Sequence, residues 1–342
     1  SISHRQDPKA NPFTTLSASV NFATSGYEPN NLSSMYNPQA LTQTTRTSSV
    51  SWTTTFSSLG MTLNGSTRLN QNMRDSIIEV TLPDLTLNVT RFYPFKPKKR
   101  VGPERWYEKI NMSYTGHMKN EISTKENKLL HSSLTKDWKN GLDHSIPISA
   151  TFTAFNYINM SPSINLRDVM TFRKIDRSWD AKNQREVRDT VSGFYNLYSW
   201  NLSVSASTKL YGFWVPSRKI FGDKIQAIRH VLTPEIGFTY APDFGSAKYG
   251  YWKQYVKTDD QGNESYVDYS PYEGAAYSVP GKGKTGMLTF GLGNNLEMKV
   301  KSDDDSTGFK KISLIDEFKL STYYNFAAEK RPMGDVSATL RL

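Results

Sequence analysis

Gly281-Lys282-Gly283-Lys284-Thr285 is the stretch of this chain that comes nearest to a catalytic or ligand-binding motif. A phosphate cradle needs glycines whose N–H groups wrap the phosphate, a lysine for its charge, and a helix that begins at the loop. Here the first glycine would fall at position 278, which is Ser278, and no helical pattern follows. The segment reads as a glycine-rich turn. Ser133-Leu134-Thr135-Lys136 has the spacing of a serine nucleophile with a lysine base, but the partner motifs that make such a pair catalytic are absent. The five histidines, His4, His117, His131, His144 and His230, make no close metal-ligand spacing, and there is no cysteine. These patterns predict no enzyme, no cofactor and no resident metal.

Basic residues are the stronger signal. Lys96, Lys98, Lys99, Arg100 and Arg105 cluster with Phe95, Trp106 and Tyr107. Cations beside rings can meet the phosphates of an anionic lipid or a nucleic acid. The same residues also suit a solvated turn, and the turn is the reading preferred here. Arg229 and His230 form a second basic pair, just ahead of Thr233-Pro234. Pro234 removes a ladder hydrogen bond, which marks either a weak point in a sheet or a strand start. Lysine and arginine total 42 against 32 acidic residues, a formal charge of +10. That charge suits acidic partners without choosing among them.

The elements that must position these residues show up as alternation. Trp200, Leu202, Val204 and Ala206 are separated by Asn201, Ser203 and Ser205. Leu16 to Phe22, Leu85 to Thr90, Ile110 to Tyr114, Ile148 to Ala154 and Leu296 to Val300 repeat the pattern. A period of two places apolar side chains on one face of a strand and polar ones on the other. The polar positions are mostly Ser, Thr and Asn, and charge gathers between the alternating blocks: residues 11–67 carry only Glu28 and Arg46. Aromatic residues make up 13% of the chain and fall near strand ends, as at Tyr93, Trp106, Tyr211 and Trp214. Membrane barrels carry aromatic girdles there. No apolar run reaches the roughly 18 residues of a membrane helix. The fold expected is all-β: a large transmembrane antiparallel β-barrel, partial as given, with residues 1–342 as one barrel domain.

Strands are expected near 12–23, 46–57, 59–71, 77–92, 106–118, 129–136, 144–156, 158–173, 190–197, 198–212, 226–240, 249–257, 285–300, 310–325 and 335–342, about 13–15 in all. Insertions are expected near 24–45, 174–189 and 241–284. No repeat of fixed period appears, which argues against a solenoid. The first residues are no signal peptide and the last read as a strand in progress, so either a segment of something longer or a mature chain with trimmed ends is expected.

Several segments resemble the LPS-assembly outer-membrane protein family (LptD), in its Bacteroidetes-type branch. They are Leu82-Pro83-Asp84-Leu85 running into Arg91-Phe92-Tyr93-Pro94-Phe95-Lys96, Arg105 to Ile110, and Ile228 to Phe244. Ile228 to Phe244 is the most specific: Arg229 and His230, then Thr233 and Pro234, then Phe238, Tyr240, Pro242 and Asp243. The likeness spans roughly residues 5–342. It implies an outer-membrane translocon component that inserts lipopolysaccharide into the outer leaflet of a Gram-negative cell. The implied partners are lipopolysaccharide, outer-membrane lipid, an LptE-like plug lipoprotein and a periplasmic bridge protein, with no nucleic acid. Arg229, His230, Lys98, Lys99 and Arg100 become candidate contacts with glycolipid or lumen. The resemblance also implies a periplasmic domain ahead of the barrel, interdomain cysteines in some members and more strands than the roughly 14 read here; residues 1–342 show no recognisable periplasmic domain and no cysteine, so a fragment, or a chain given without its ends, is expected. A passive porin and a soluble carbohydrate-binding module are the rival readings.

Overall fold

The computed structural model describes residues 2–7, 9–21, 45–99, 101–133, 136–222, 224–259, 261–302 and 308–342. The expected insertion at 24–45 falls almost wholly outside them. The strands are β1 (Ile2–Arg5), β2 (Thr14–Val20), β3 (Thr45–Phe56), β4 (Met61–Asn72), β5 (Ile77–Phe92), β6 (Asn111–Lys125), β7 (Lys139–Ser149), β8 (Phe152–Ala154), β9 (Ile158–Asp180), β10 (Arg185–Ser207), β11 (Leu210–Trp214), β12 (Ile225–Ala241), β13 (Lys253–Thr258), β14 (Glu264–Tyr269), β15 (Thr285–Lys301), β16 (Phe309–Asn325) and β17 (Ser337–Arg341). All but β13 and β14 join one antiparallel sheet, ordered by chain neighbours from β1 to β17. β8 continues the line of β7 and β11 continues that of β10. The sheet is not closed: β1 and β17 are its two edges.

The alternation is realised across the sheet. Leu202 faces Ile164 on β9 and Tyr240 on β12, and Val204 faces Pro162 and Phe238. Ile164 in turn faces Ile148 on β7, and Phe238 faces Leu288 on β15. These residues form one apolar face. Between them Ser203 opposes Ser163 and Thr239, and Ser163 opposes Ser149, so the other face is polar. On the apolar face Trp52 lies over Gly65, where a Cβ would come within 2.1 Å of the indole. The missing side chain is what lets the ring lie flat.

The register is strongly staggered. One row of opposed residues runs Phe92, Met112, Ile148, Ile164, Leu202, Tyr240, Gly286. It starts at the last residue of β5, beside the 93–110 connection, and finishes at the opposite end of β15. We call the end with 93–110 the lower end. Strands tilted to close a barrel have this kind of shear. The longest described connection, 242–284, is at the upper end. At the lower end lie Phe56, Phe92, Tyr93, Trp106, Phe155, Tyr157 and Trp214, all exposed. They make the girdle that amphipathic rings form at a membrane boundary.

Five expectations need correction. Residues 174–189 are no insertion: β9 and β10 each run for 23 residues and pair through Asp180 and Arg185. A tilted membrane strand needs only about 9–11 residues, so the upper half of this hairpin projects beyond an apolar band. Its charges sit in strands that stand in water, where cross-strand ion pairs such as Arg177–Glu186 replace apolar contacts. Second, 190–197 and 198–212 form one strand through Ser207, and the break comes at Thr208-Lys209. There the Thr208 N–H donates to the Pro234 carbonyl, and Pro234 has no N–H to return. Third, the described part of 129–136 holds no strand: Glu126–His131 is a short 3-10 turn. Fourth, 106–118 opens with a 3-10 turn, Trp106–Lys109, before β6. Fifth, the 249–257 strand lies outside the wall, in the β13–β14 hairpin.

Candidate functional site

The polar face is the candidate site, and opposed strands supply its charge pairs. His117 of β6 places Nε2 2.6 Å from Asp84 Oδ1 of β5. Arg167 of β9 makes a forked bond to Asp143 of β7, with Nε–Oδ1 2.9 Å and Nη2–Oδ2 2.8 Å. Lys319 of β16 reaches across β15 to Glu235 of β12 at 2.9 Å. Arg229 donates to Glu297 at 2.6 Å. The Glu235–Lys319 bridge spans Gly291, whose absent Cβ would come within 3.0 Å of the Glu235 carboxylate. Around it Ser321, Tyr323, Asp335 and Ser337 border an open polar cleft of about 360 Å³. Such a surface offers donors and acceptors to hydroxyls and phosphates.

The upper part of this face is covered by residues 242–284. Val169 and Leu197 are opposed on the polar face and are buried beneath Phe244 and Tyr251. Tyr277 packs edge-on against His117 and donates its hydroxyl to the His117 carbonyl at 2.9 Å. The cover also ends the free edges of the projecting hairpin. Tyr251 Oη accepts from the Tyr198 N–H at 2.8 Å and donates to its carbonyl at 3.0 Å. On the other edge Ile175 N–H donates to Pro271 O and Arg177 N–H to Tyr269 Oη. Burial pushes the Tyr251 hydroxyl up to about 12, so it stays protonated and able to donate. Above the membrane band, Lys253 holds the Asp176 carboxyl below its usual range, and Lys282 does the same for Asp268.

Arg229 and His230 lie inside β12 and part company there, since adjacent strand residues point to opposite faces. Arg229 is on the polar face. His230 is on the apolar face, with Nε2 3.1 Å from Asn294 Oδ1. Lys98 and Lys99 are exposed in the lower 93–110 connection, and Arg100 lies outside the described residues. Nearby, Lys96 pairs with Glu104 and Arg105 donates to the Tyr107 hydroxyl. Thr233 is on the polar face; Pro234, Phe238 and Tyr240 are on the apolar one. Pro242 and Asp243 open the 242–284 cover, and Asp243 Oδ1 accepts the N–H groups of Gly245 and Gly283, both at 2.7 Å. Gly281 to Thr285 is therefore the return leg of the cover into β15, with no helix after it. Ser133 and Lys136 precede β7, and the two residues between them lie outside the described ones. Asp84, Asp143, Glu235 and Lys319 were missed by sequence reasoning, because each meets its partner only through strand register.

A family model described as LptD protein matches residues 1–342, the whole chain. The chain belongs to the LptD protein family. The match assigns no branch within the family. No curated protein matches this sequence. Among solved structures, the outer membrane transporter YddB from Escherichia coli aligns at 9% identity with a TM-score of 0.31. That alignment covers 87% of this chain and 35% of that one, and a likeness so distant decides nothing. Membership in the LptD family gives the two-faced antiparallel sheet an outer-membrane setting. Among the described residues no helix is long and apolar enough to cross a membrane.

Proposed function

We propose that this chain is part of the wall of an outer-membrane translocon that inserts lipopolysaccharide into the outer leaflet. The observation that carries this reading is the division of the sheet into a Ser/Thr- and ion-pair-lined face and an apolar face. A glycolipid needs both surfaces, a wet path for sugars and phosphates and an apolar boundary for acyl chains. The charge pairs Arg229–Glu297, Lys319–Glu235 and Arg167–Asp143 supply cations that bind phosphate and acids that bind hydroxyls. An LptE-like plug lipoprotein, a periplasmic bridge protein and lipopolysaccharide are the proposed partners. The roles proposed for Lys98 and Lys99 are contacts at the lower mouth.

Photocrosslinking in cells tests this. A photoreactive residue replaces Ser203, Thr239 or Glu235 on the polar face, and adducts are blotted for lipopolysaccharide. The expected result is adducts at all three sites that vanish when lipopolysaccharide supply from the periplasm is cut. Inserted protein with no polar-face adduct, and with ion conductance indifferent to glycolipid, would overturn the translocon in favour of a passive channel.

A further inference from the structure

His230 lies in an apolar setting that the transport reading does not use. Gly212 of β11 opposes it directly, and Trp214 of β11 opposes Ile228. With Leu296 and Phe318, these residues line an open cleft of about 490 Å³ in the apolar face. Two irregularities make it. In β16 a bulge runs from Ile315 to Phe318, opposite Asn294 to Leu296, and the Asn295 amide ties it down by donating to the carbonyls of Ile315 and Asp316. On the other flank the β10 line breaks at Thr208-Lys209, and the strand that resumes carries Gly212, whose missing side chain leaves a notch. A Cβ on Gly212 would meet nothing closer than His230 at 3.8 Å.

The cleft is continuous with the membrane-facing surface, and its floor holds a single polar pair, His230–Asn294. It sits at the lower end. Below it on the same face Lys310 opposes Val300 and is exposed, while Trp214 stands in the lower girdle. The long 242–284 connection is at the upper end, and barrels turn their longer loops outward and their short turns to the periplasm. The lower cleft then faces the leaflet made of glycerophospholipid.

We infer that this cleft is a binding site for an acyl chain of a glycerophospholipid in the periplasmic leaflet. The chain lies over Ile228 and Leu296 between Trp214 and Phe318, and the phosphate lies at Lys310. His230 and Asn294 satisfy each other in the floor of the cleft, beneath the chain. This inference rests on the apolar face being the lipid-facing side of the wall.

The test uses the protein purified with the partners it carries and reconstituted in phosphatidylethanolamine and phosphatidylglycerol vesicles. One batch contains phosphatidylethanolamine with a diazirine in its acyl chain, and a second contains lipid A labelled the same way. Adducts are mapped by peptide mass spectrometry. The expected result is phosphatidylethanolamine adducts at 210–214, 228–230 and 315–318 in about tenfold excess over the lower apolar-face positions Leu63 and Leu87. Gly212→Leu fills the notch with carbon and should lower the cleft adducts about tenfold while leaving those at Leu63 and Leu87. If Gly212→Leu does not insert, Trp214→Ala, which removes one wall, should abolish the excess instead. Equal yields across the apolar face, or enrichment with lipid A only, would each overturn the site. Absence of adducts from the entire apolar face would overturn the lipid-facing wall itself, a distinct outcome.

Discussion

Asp243 shows how one side chain can set the path of a long segment. Its carboxylate accepts two N–H groups that are far apart in sequence, Gly245 at the start of the cover and Gly283 at its end. The two legs of the excursion are thereby held together at its base. Asp243→Ala leaves both N–H groups without that acceptor, at a cost of about 1–3 kcal/mol. The expected outcome is faster amide exchange through 244–283 with β12 and β15 unchanged. Unchanged exchange in the cover would show that the aromatic cluster holds it without Asp243. The split of Arg229 from His230 was open to sequence reasoning: His230 has the parity of Phe238 and Tyr240, and a strand allows only one outcome. The partners of Arg167 and Lys319 were not, because their spacing depends on register.

The β13–β14 hairpin, the upper part of β9–β10 and the cover form one unit bound by charge. Lys253 contacts Asp176, Tyr255 contacts Glu186, and Lys282 contacts Asp268. Two of these carboxyls are held below their ordinary value by a partner across the contact, Asp176 first by Lys253 and Asp268 first by Lys282, whereas Glu186 is held low first by Arg188 of its own strand and does not report docking. A carboxyl depressed in the folded state stabilises the docked form above its unfolded value and loses that effect as pH falls through its folded one. Docking should therefore be constant from neutral pH to about pH 5 and weaken below about pH 4. Hydrogen exchange of 253–269, corrected for its intrinsic pH dependence, measures this, and protection that grows on acidification would contradict it. Asp176→Asn should give part of the same loosening at neutral pH. This unit was half legible. The 241–284 insertion stood out by its Pro, Gly and charge content, but the same charge density made 174–189 look like a loop. Charge marks exposure to water, and a strand that projects beyond the membrane is exposed.

Across the whole molecule, the wall was legible because a period of two survives tilt, bulge and twist. Ser199 to Ser207 states both faces in a single strand. Stagger, the break opposite Pro234 and the bulge at Ile315 were not, since each depends on which residues of two distant strands come to lie side by side. The central claim is that one face of this sheet meets water and the other meets lipid. The chain contains no cysteine, so single cysteines can be placed at Ser205, Thr239, Val204 and Phe238 without background. Labelling with a water-soluble maleimide in outer-membrane vesicles then reads the two faces residue by residue. The account predicts reaction at Ser205→Cys and Thr239→Cys and protection at Val204→Cys and Phe238→Cys. Equal reaction at neighbouring positions, or the reverse pattern, would contradict it.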